Sequence, residues 1–101
     1  MKICELNKNY NARVYAIYWS DYQGLMQKFF LIIPYEGYEG LSAVWEGECT
    51  VVDESLDGFI LTKGENGCDL IVDRIVLDDN LLDRLIDHDV DAMKILKKRI
   101  S

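Results

Sequence analysis

Proline is almost missing from this 101-residue chain, Pro34 being the single example, and no Pro- or Ser-rich linker divides it. With 50% hydrophobic and 29% charged residues the composition excludes disordered, fibrous and collagen-like classes. It describes a single domain over residues 1–101 with one modest core. Cysteine is scarce and odd in number. Cys4, Cys49 and Cys68 stand far apart with no C-x-x-C pair, which fits reduced thiols rather than a disulfide framework or a zinc site. Long apolar runs are missing too: the aliphatic-rich run Phe29 to Ile33 has five residues against the roughly 18 a spanning helix needs. Met1-Lys2-Ile3-Cys4-Glu5 meets charge before any apolar stretch, so no signal peptide is expected, and the address expected is cytoplasmic. Basic surplus is also lacking. Eleven Lys+Arg against eighteen Asp+Glu give a net charge of −7 and a pI near 4.5, which argues against a nucleic-acid-binding face.

What is present reads first as β-structure. Residues 13–20 and 27–33 are rich in β-branched and aromatic side chains, with turn chemistry in Ser20 to Gly24 between them, so a hairpin is expected. Ile3 to Leu6 reads as a shorter strand, and Pro34 stops pairing before the glycine loop Tyr35 to Gly40. Ala43 to Val52, with Gly47 as a bulge, then Phe59 to Lys63 and Asp69 to Val76 suggest a three-stranded meander. Asn66-Gly67 is a strong type I′ hairpin signal, and its register sets Lys63 opposite Leu70.

The period changes in the last quarter. Leu82, Leu85, Ile86, Val90, Met93, Leu96 and Ile100 recur at spacings of three and four along one helical stripe, with cap oxygens in Asp78-Asp79-Asn80. A break at Asp87-His88-Asp89, with Asp89 as a second cap, is the alternative. Sheet first and helix last gives an α+β domain: an antiparallel sheet of about five strands, open or curled, with a C-terminal helix on one face.

Charge is unevenly distributed. Residues 1–34 carry +2, residues 35–91 carry −13 and residues 92–101 carry +4. Clustered carboxylates repel one another unless a cationic partner neutralises them. Within the acidic block aromatic-Glu-Gly occurs three times, as Tyr35-Glu36-Gly37, Tyr38-Glu39-Gly40 and Trp45-Glu46-Gly47, and Glu48 extends it. Rings supply contact area, carboxylates accept paired hydrogen bonds from Arg, and glycines allow close backbone approach. The alternative is a glycine loop whose rings fold into the core.

Other motifs carry less. Asp53 to Ile60 matches the start of an EF-hand calcium loop, but position 12 is Gly64 and the flanks read as strands, so no metal is expected. His88, the lone histidine, reads as a surface or helix-junction residue, and the cysteines lack a partner at nucleophile–base spacing. G-x-G-x-x-G, the P-loop and H-E-x-x-H are missing, so no cofactor and no catalytic residue is expected.

In size, acidity and an aromatic-rimmed carboxylate surface the chain resembles the immunity proteins that neutralise bacterial toxins, such as those of contact-dependent growth inhibition and colicin systems. The resemblance implies a non-catalytic protein in a 1:1 complex with a cognate basic toxin domain, often a nuclease, with no binding of nucleic acid or membrane. It includes no diagnostic motif and carries over no residue. The partner-binding candidates therefore come from the charge block alone: Tyr35, Glu36, Tyr38, Glu39, Trp45, Glu46 and Glu48. A nucleic-acid-mimicking regulator of another protein, and a small enzyme or ligand-binding module using Cys49, Cys68, His88 and nearby acids, are the other readings.

Overall fold

A computed structural model of the chain describes residues 1–64, 67–78 and 80–100. Among them seven strands and two helices follow one another: β1 (Lys2–Glu5), β2 (Asn11–Tyr22), β3 (Leu25–Ile32), β4 (Ser42–Trp45), β5 (Cys49–Asp53), β6 (Phe59–Lys63), β7 (Asp69–Asp73), α1 (Leu81–Ile86) and α2 (Val90–Ile100). All pairings are antiparallel, and the fold is α+β.

The β2–β3 hairpin is longer than the expected one. Its turn is the dipeptide Gln23-Gly24, both residues at positive φ (53° and 80°), as a type I′ turn requires, so Ser20 to Tyr22 stay in the strand. A bulge interrupts the ladder further back. Val14 faces Ile32 and Ala16 faces Leu31, leaving Tyr15 as the extra residue. Strict alternation would put Tyr15 and Ala16 on opposite faces. The bulge sends both to the helix side, while Val14 and Ile17 go to the other.

β2 is long enough to hold two partners on its second edge. Residues Asn11 to Arg13 pair with β1, and Ala16 to Tyr18 pair with β7. Beyond β1 lies β5, and beyond β7 lies β6, so the sheet forks. The five-strand path β4-β3-β2-β1-β5 has its two ends joined by a 3-10 turn of three residues, Glu46–Glu48. So short a connection spans on the order of 10 Å, which forces the path to curl. β4 and β5 do not pair, so the sheet is curled but not closed.

The expected meander over 43–76 is corrected here. Residues 43–52 are not one bulged strand; they split into β4 and β5 on opposite edges, and only β6 and β7 form a hairpin. β3 takes the first half and β1 the second. At the turn between them a Cβ on Gly47 would lie 2.6 Å from the Trp45 ring, which folds over the glycine. The β6–β7 register also differs by one residue: Lys63 pairs with Asp69, not Leu70. Gly64 N–H donates to Cys68 O (2.8 Å), closing a loop longer than two residues. This register sets Ile60 beside Val72 under the helices and lets Lys63 bond the Asp69 carboxylate. Glu65 and Asn66, on which the turn expectation rested, lie outside the described residues.

The C-terminal stripe is two helices rather than one. His88 takes a left-handed φ of 60°, and Asp89 caps the second helix, its Oδ1 accepting from Asp91 N (2.9 Å) and Ala92 N (3.3 Å). The break turns Ile86 and Val90 outward, while Leu81, Leu85, Ala92, Met93 and Leu96 are buried. The expected cap before α1 fails: Asn80 is left-handed and its side chain caps nothing, while Asp78 is engaged by Arg99. Asp79 is not among the described residues.

The interior is double. One cluster, including Tyr15, Ala16, Leu31 and Val72, packs under the helices; the other, including Ile3, Val14, Ile17, Phe30, Ile32 and Val44, fills the hollow of the curled sheet. No helix of the described residues is long and apolar enough to cross a membrane.

Candidate functional site

Loop 35–40 is held against the α1–α2 junction by close backbone contact. Gly40 has φ +125°, and a Cβ there would lie 2.8 Å from Leu85 O and 3.1 Å from His88 Cγ, so only glycine fits without strain. The next residue, Leu41, donates its N–H to Leu85 O at 3.1 Å. Tyr35 and Tyr38 meet edge to face (5.4 Å, 78°), and Tyr38 meets His88 in the same way (5.4 Å, 68°), its hydroxyl 3.5 Å from Nε2. The rings stack outward over the junction rather than entering the core; Tyr35 is 57% exposed. Glu39 pairs with Lys97 at 3.6 Å, and Glu36 is exposed, with no ion pair to a described residue.

The other three candidates lie at the far end of β4. Trp45 is 42% exposed, Glu46 pairs with Lys28 at 3.5 Å, and Glu48 uses its backbone carbonyl to accept from Leu6 N (3.0 Å) while its side chain remains exposed. The seven candidates therefore form two groups toward opposite ends of β4, a strand of roughly 13 Å whose last residue, Trp45, belongs to the second group. The Glu39 and Glu46 pairs are solvent-exposed, so each holds its carboxylate weakly and can be exchanged for a partner's cation.

Between the groups the sheet contributes a surface that sequence alone did not reveal. Trp45, Phe29, Tyr18 and Leu70 are successive cross-strand partners on β4, β3, β2 and β7, which makes one row on the helix-bearing face. Tyr18 and Phe29 stack at 5.3 Å, and burial pushes the Tyr18 phenol up from its ordinary range. Above this row is a groove of about 370 Å³, floored by Tyr18, Leu41, Ala43 and Leu70 and walled by Leu82 and Ile86, with Asp83 at its rim. The alternation Tyr18-Ser20-Tyr22 was the available signal. The bulge at Tyr15 concealed which face it belonged to.

A second cavity, about 420 Å³, opens between β2, loop 35–40 and α2. Arg13 reaches it from β2, its Nη2 bonded to Asp73 Oδ2 (2.8 Å) and its guanidinium 5.2 Å from the Tyr15 ring centre. Burial raises the Tyr15 phenol above its ordinary range, outweighing the opposing pull of Arg13, so it remains a protonated donor.

The cysteines remain thiols. Burial, reinforced by Glu46, Glu5 and Glu48, pushes the Cys49 thiol up, which makes it a poor nucleophile at neutral pH. Within Asp53 to Asp57 the loop oxygens serve the loop itself: Asp53 Oδ1 accepts from Ser55 N (3.0 Å) and Ser55 Oγ from Asp57 N (3.4 Å). Among the described residues no three of His, Cys, Asp and Glu come together as a metal-binding group.

No protein-family model, curated protein or solved structure matches the chain.

Proposed function

We propose that this chain is a non-catalytic inhibitor of the immunity type, which acts in the cytoplasm by binding a basic toxin domain 1:1 through the face that carries loop 35–40, the α1 groove and the Trp45 turn. The observation that carries this reading is the pairing of accessible rings with solvent-facing carboxylates in two groups that flank an apolar groove. Tyr35 and Tyr38 stand beside Glu36 and Glu39, Trp45 stands beside Glu46 and Glu48, and the apolar groove between them has Asp83 as its charged rim. Such a face offers apolar anchors with acceptors at their edges, the complement of a nuclease surface built from Lys and Arg to hold polyphosphate. The net charge of −7 steers such a partner onto it.

The test starts with capture of the partner on the tagged chain at low ionic strength, followed by assay of the purified partner for nuclease activity with and without this protein. A single basic protein retained at 1:1, and inhibited, is the expected result. Replacing Glu36, Glu39, Glu46 and Glu48 together by Ala is expected to relieve inhibition and flatten the salt dependence of binding. Unchanged affinity and salt slope in that variant would place the interface elsewhere, and a retained partner without a basic surface would overturn the reading.

A further inference from the structure

The cavity between β2, loop 35–40 and α2 differs in chemistry from the rest of this acidic molecule. Its charged lining is Arg13, paired with Asp73, Lys97, paired at 3.6 Å with the exposed Glu39, and Glu36, and three phenols, Tyr10, Tyr15 and Tyr38, add further donors. Its floor is apolar, formed by Ile33, Met93 and Ile100. The volume of about 420 Å³ falls within the roughly 300–1,000 Å³ of small-molecule sites.

Tyr15 shows where a ligand's polar group belongs. The residue is only 3% exposed, yet its hydroxyl makes no hydrogen bond to a described residue. No fully buried side-chain oxygen among the described residues lacks a partner, so the small accessible part of Tyr15 includes its hydroxyl, opening into the cavity. A hydroxyl that opens into the cavity can donate to a ligand's oxygen. Arg13 lies against the same ring with its position fixed by Asp73, and that bond occupies Nη2 while the rest of the donor fork remains available. The guanidinium and the phenol both line the cavity, and a planar carboxylate matches the free edge of the guanidinium fork in shape and charge.

We propose that this cavity binds a small amphipathic carboxylate, its acid group held by Arg13 and the Tyr15 hydroxyl with Lys97 nearby, and its aromatic or aliphatic body on Ile33, Met93 and Ile100. The site is independent of the protein-binding face in what carries it, although Glu36 and Tyr38 border both. It requires no protein partner, so it is tested on the isolated chain.

The experiment is titration of the ¹⁵N-labelled protein with phenylacetate, indole-3-acetate and octanoate, each compared with its neutral amide, and with phenethylamine as the cationic control. Saturable shifts at residues 10–15, 36–38 and 93–100 with the acids, and little with amides or amine, are expected. Tyr15→Phe keeps the ring and is expected to weaken the best acid about tenfold, the loss of one charge-assisted hydrogen bond. Lys97→Met, at a half-exposed position, is expected to weaken it several-fold while leaving the spectrum dispersed. The proposal is overturned if none of the three acids produces saturable shifts, if amides bind as well as acids, if the amine binds best, or if Tyr15→Phe is folded and binds as the wild type does.

Discussion

Tyr38 and His88, fifty positions apart, meet edge to face with ring centres 5.4 Å apart and the phenol oxygen 3.5 Å from Nε2. This contact fixes loop 35–40 over the junction of the two helices. It rests on Gly40, whose missing side chain allows the loop to approach Leu85 O and His88. The acidic loop is thus a docked element with a defined orientation, not a tether.

Replacing Gly40 by Ala tests that docking. The new Cβ meets a backbone oxygen at 2.8 Å at a φ of +125°, so the cost is expected to be about 1–3 kcal/mol. The Tyr38 and His88 ring resonances are expected to shift together in the NMR spectrum. If stability falls and those resonances stay in place, the loop is anchored by something other than this contact.

Gly47 plays a similar part at the other end of β4. A Cβ there would meet the Trp45 ring at 2.6 Å, and the ring, being partly exposed, can swing away. Gly47→Ala is therefore expected to cost little stability but to change Trp45 fluorescence, measured with Trp19 replaced by Phe. Loss of partner affinity in this variant without loss of fold would identify the ring's position as part of the binding surface.

The acid side of the stability profile follows from two aspartates. Asp78 accepts from Arg99 Nη1 (2.7 Å) and Nη2 (3.1 Å), and those bonds hold its carboxyl below the ordinary range. Asp89 is lowered by Arg84 Nε (3.0 Å) and by the N–H groups it caps. Both bind protons more weakly folded than unfolded, so their contribution is complete above the ordinary carboxylate pKa of about 4 and is lost as pH falls through the lowered folded values. Arg99→Met and Arg84→Met are expected to lower Tm at neutral pH, with the gap from wild type narrowing as pH falls below about 4. Arg99 also donates to Ile75 O at 2.8 Å, which leaves a pH-independent remainder. A gap that stays constant into acid would assign the whole effect to that bond and to packing.

Asp73 is, among the described residues, the buried charge of the sheet, 7% exposed. Its Oδ2 accepts from Arg13 (2.8 Å), and its Oδ1 accepts from Ile75 N (3.1 Å), which starts the 3-10 turn Arg74–Val76. Asp73→Ala is expected to destabilise by about 1–3 kcal/mol in urea unfolding, since it leaves both donors unmatched. Asp73→Asn retains an acceptor for Ile75 and is expected to lose less. Equal losses would mean that the Arg13 charge pair accounts for most of the effect.

The class of the fold follows from local properties of the chain. Strand runs rich in Val, Ile and aromatic residues, a change to helical spacing after residue 80, and a −13 block between two basic ends are local properties, legible without coordinates. The helix break was also legible, because Asp87-His88-Asp89 combines a residue tolerant of left-handed φ with a good cap. Tertiary structure alone decided the pairing. Whether Ala43 to Val52 is one strand or two depends on β3 and β1 taking its two halves, and the face of Tyr18 depends on the bulge at Tyr15. Of the seven expected site residues, six are exposed and Tyr38 is half-buried against His88. The expected site was silent on the groove and the Arg13–Tyr15 cavity, because residues 13, 15, 33, 93 and 97 come together only when the sheet curls and the second helix turns across it. Composition and spacing act over a few residues, whereas register, curl and helix direction are set by which distant surfaces exclude water together.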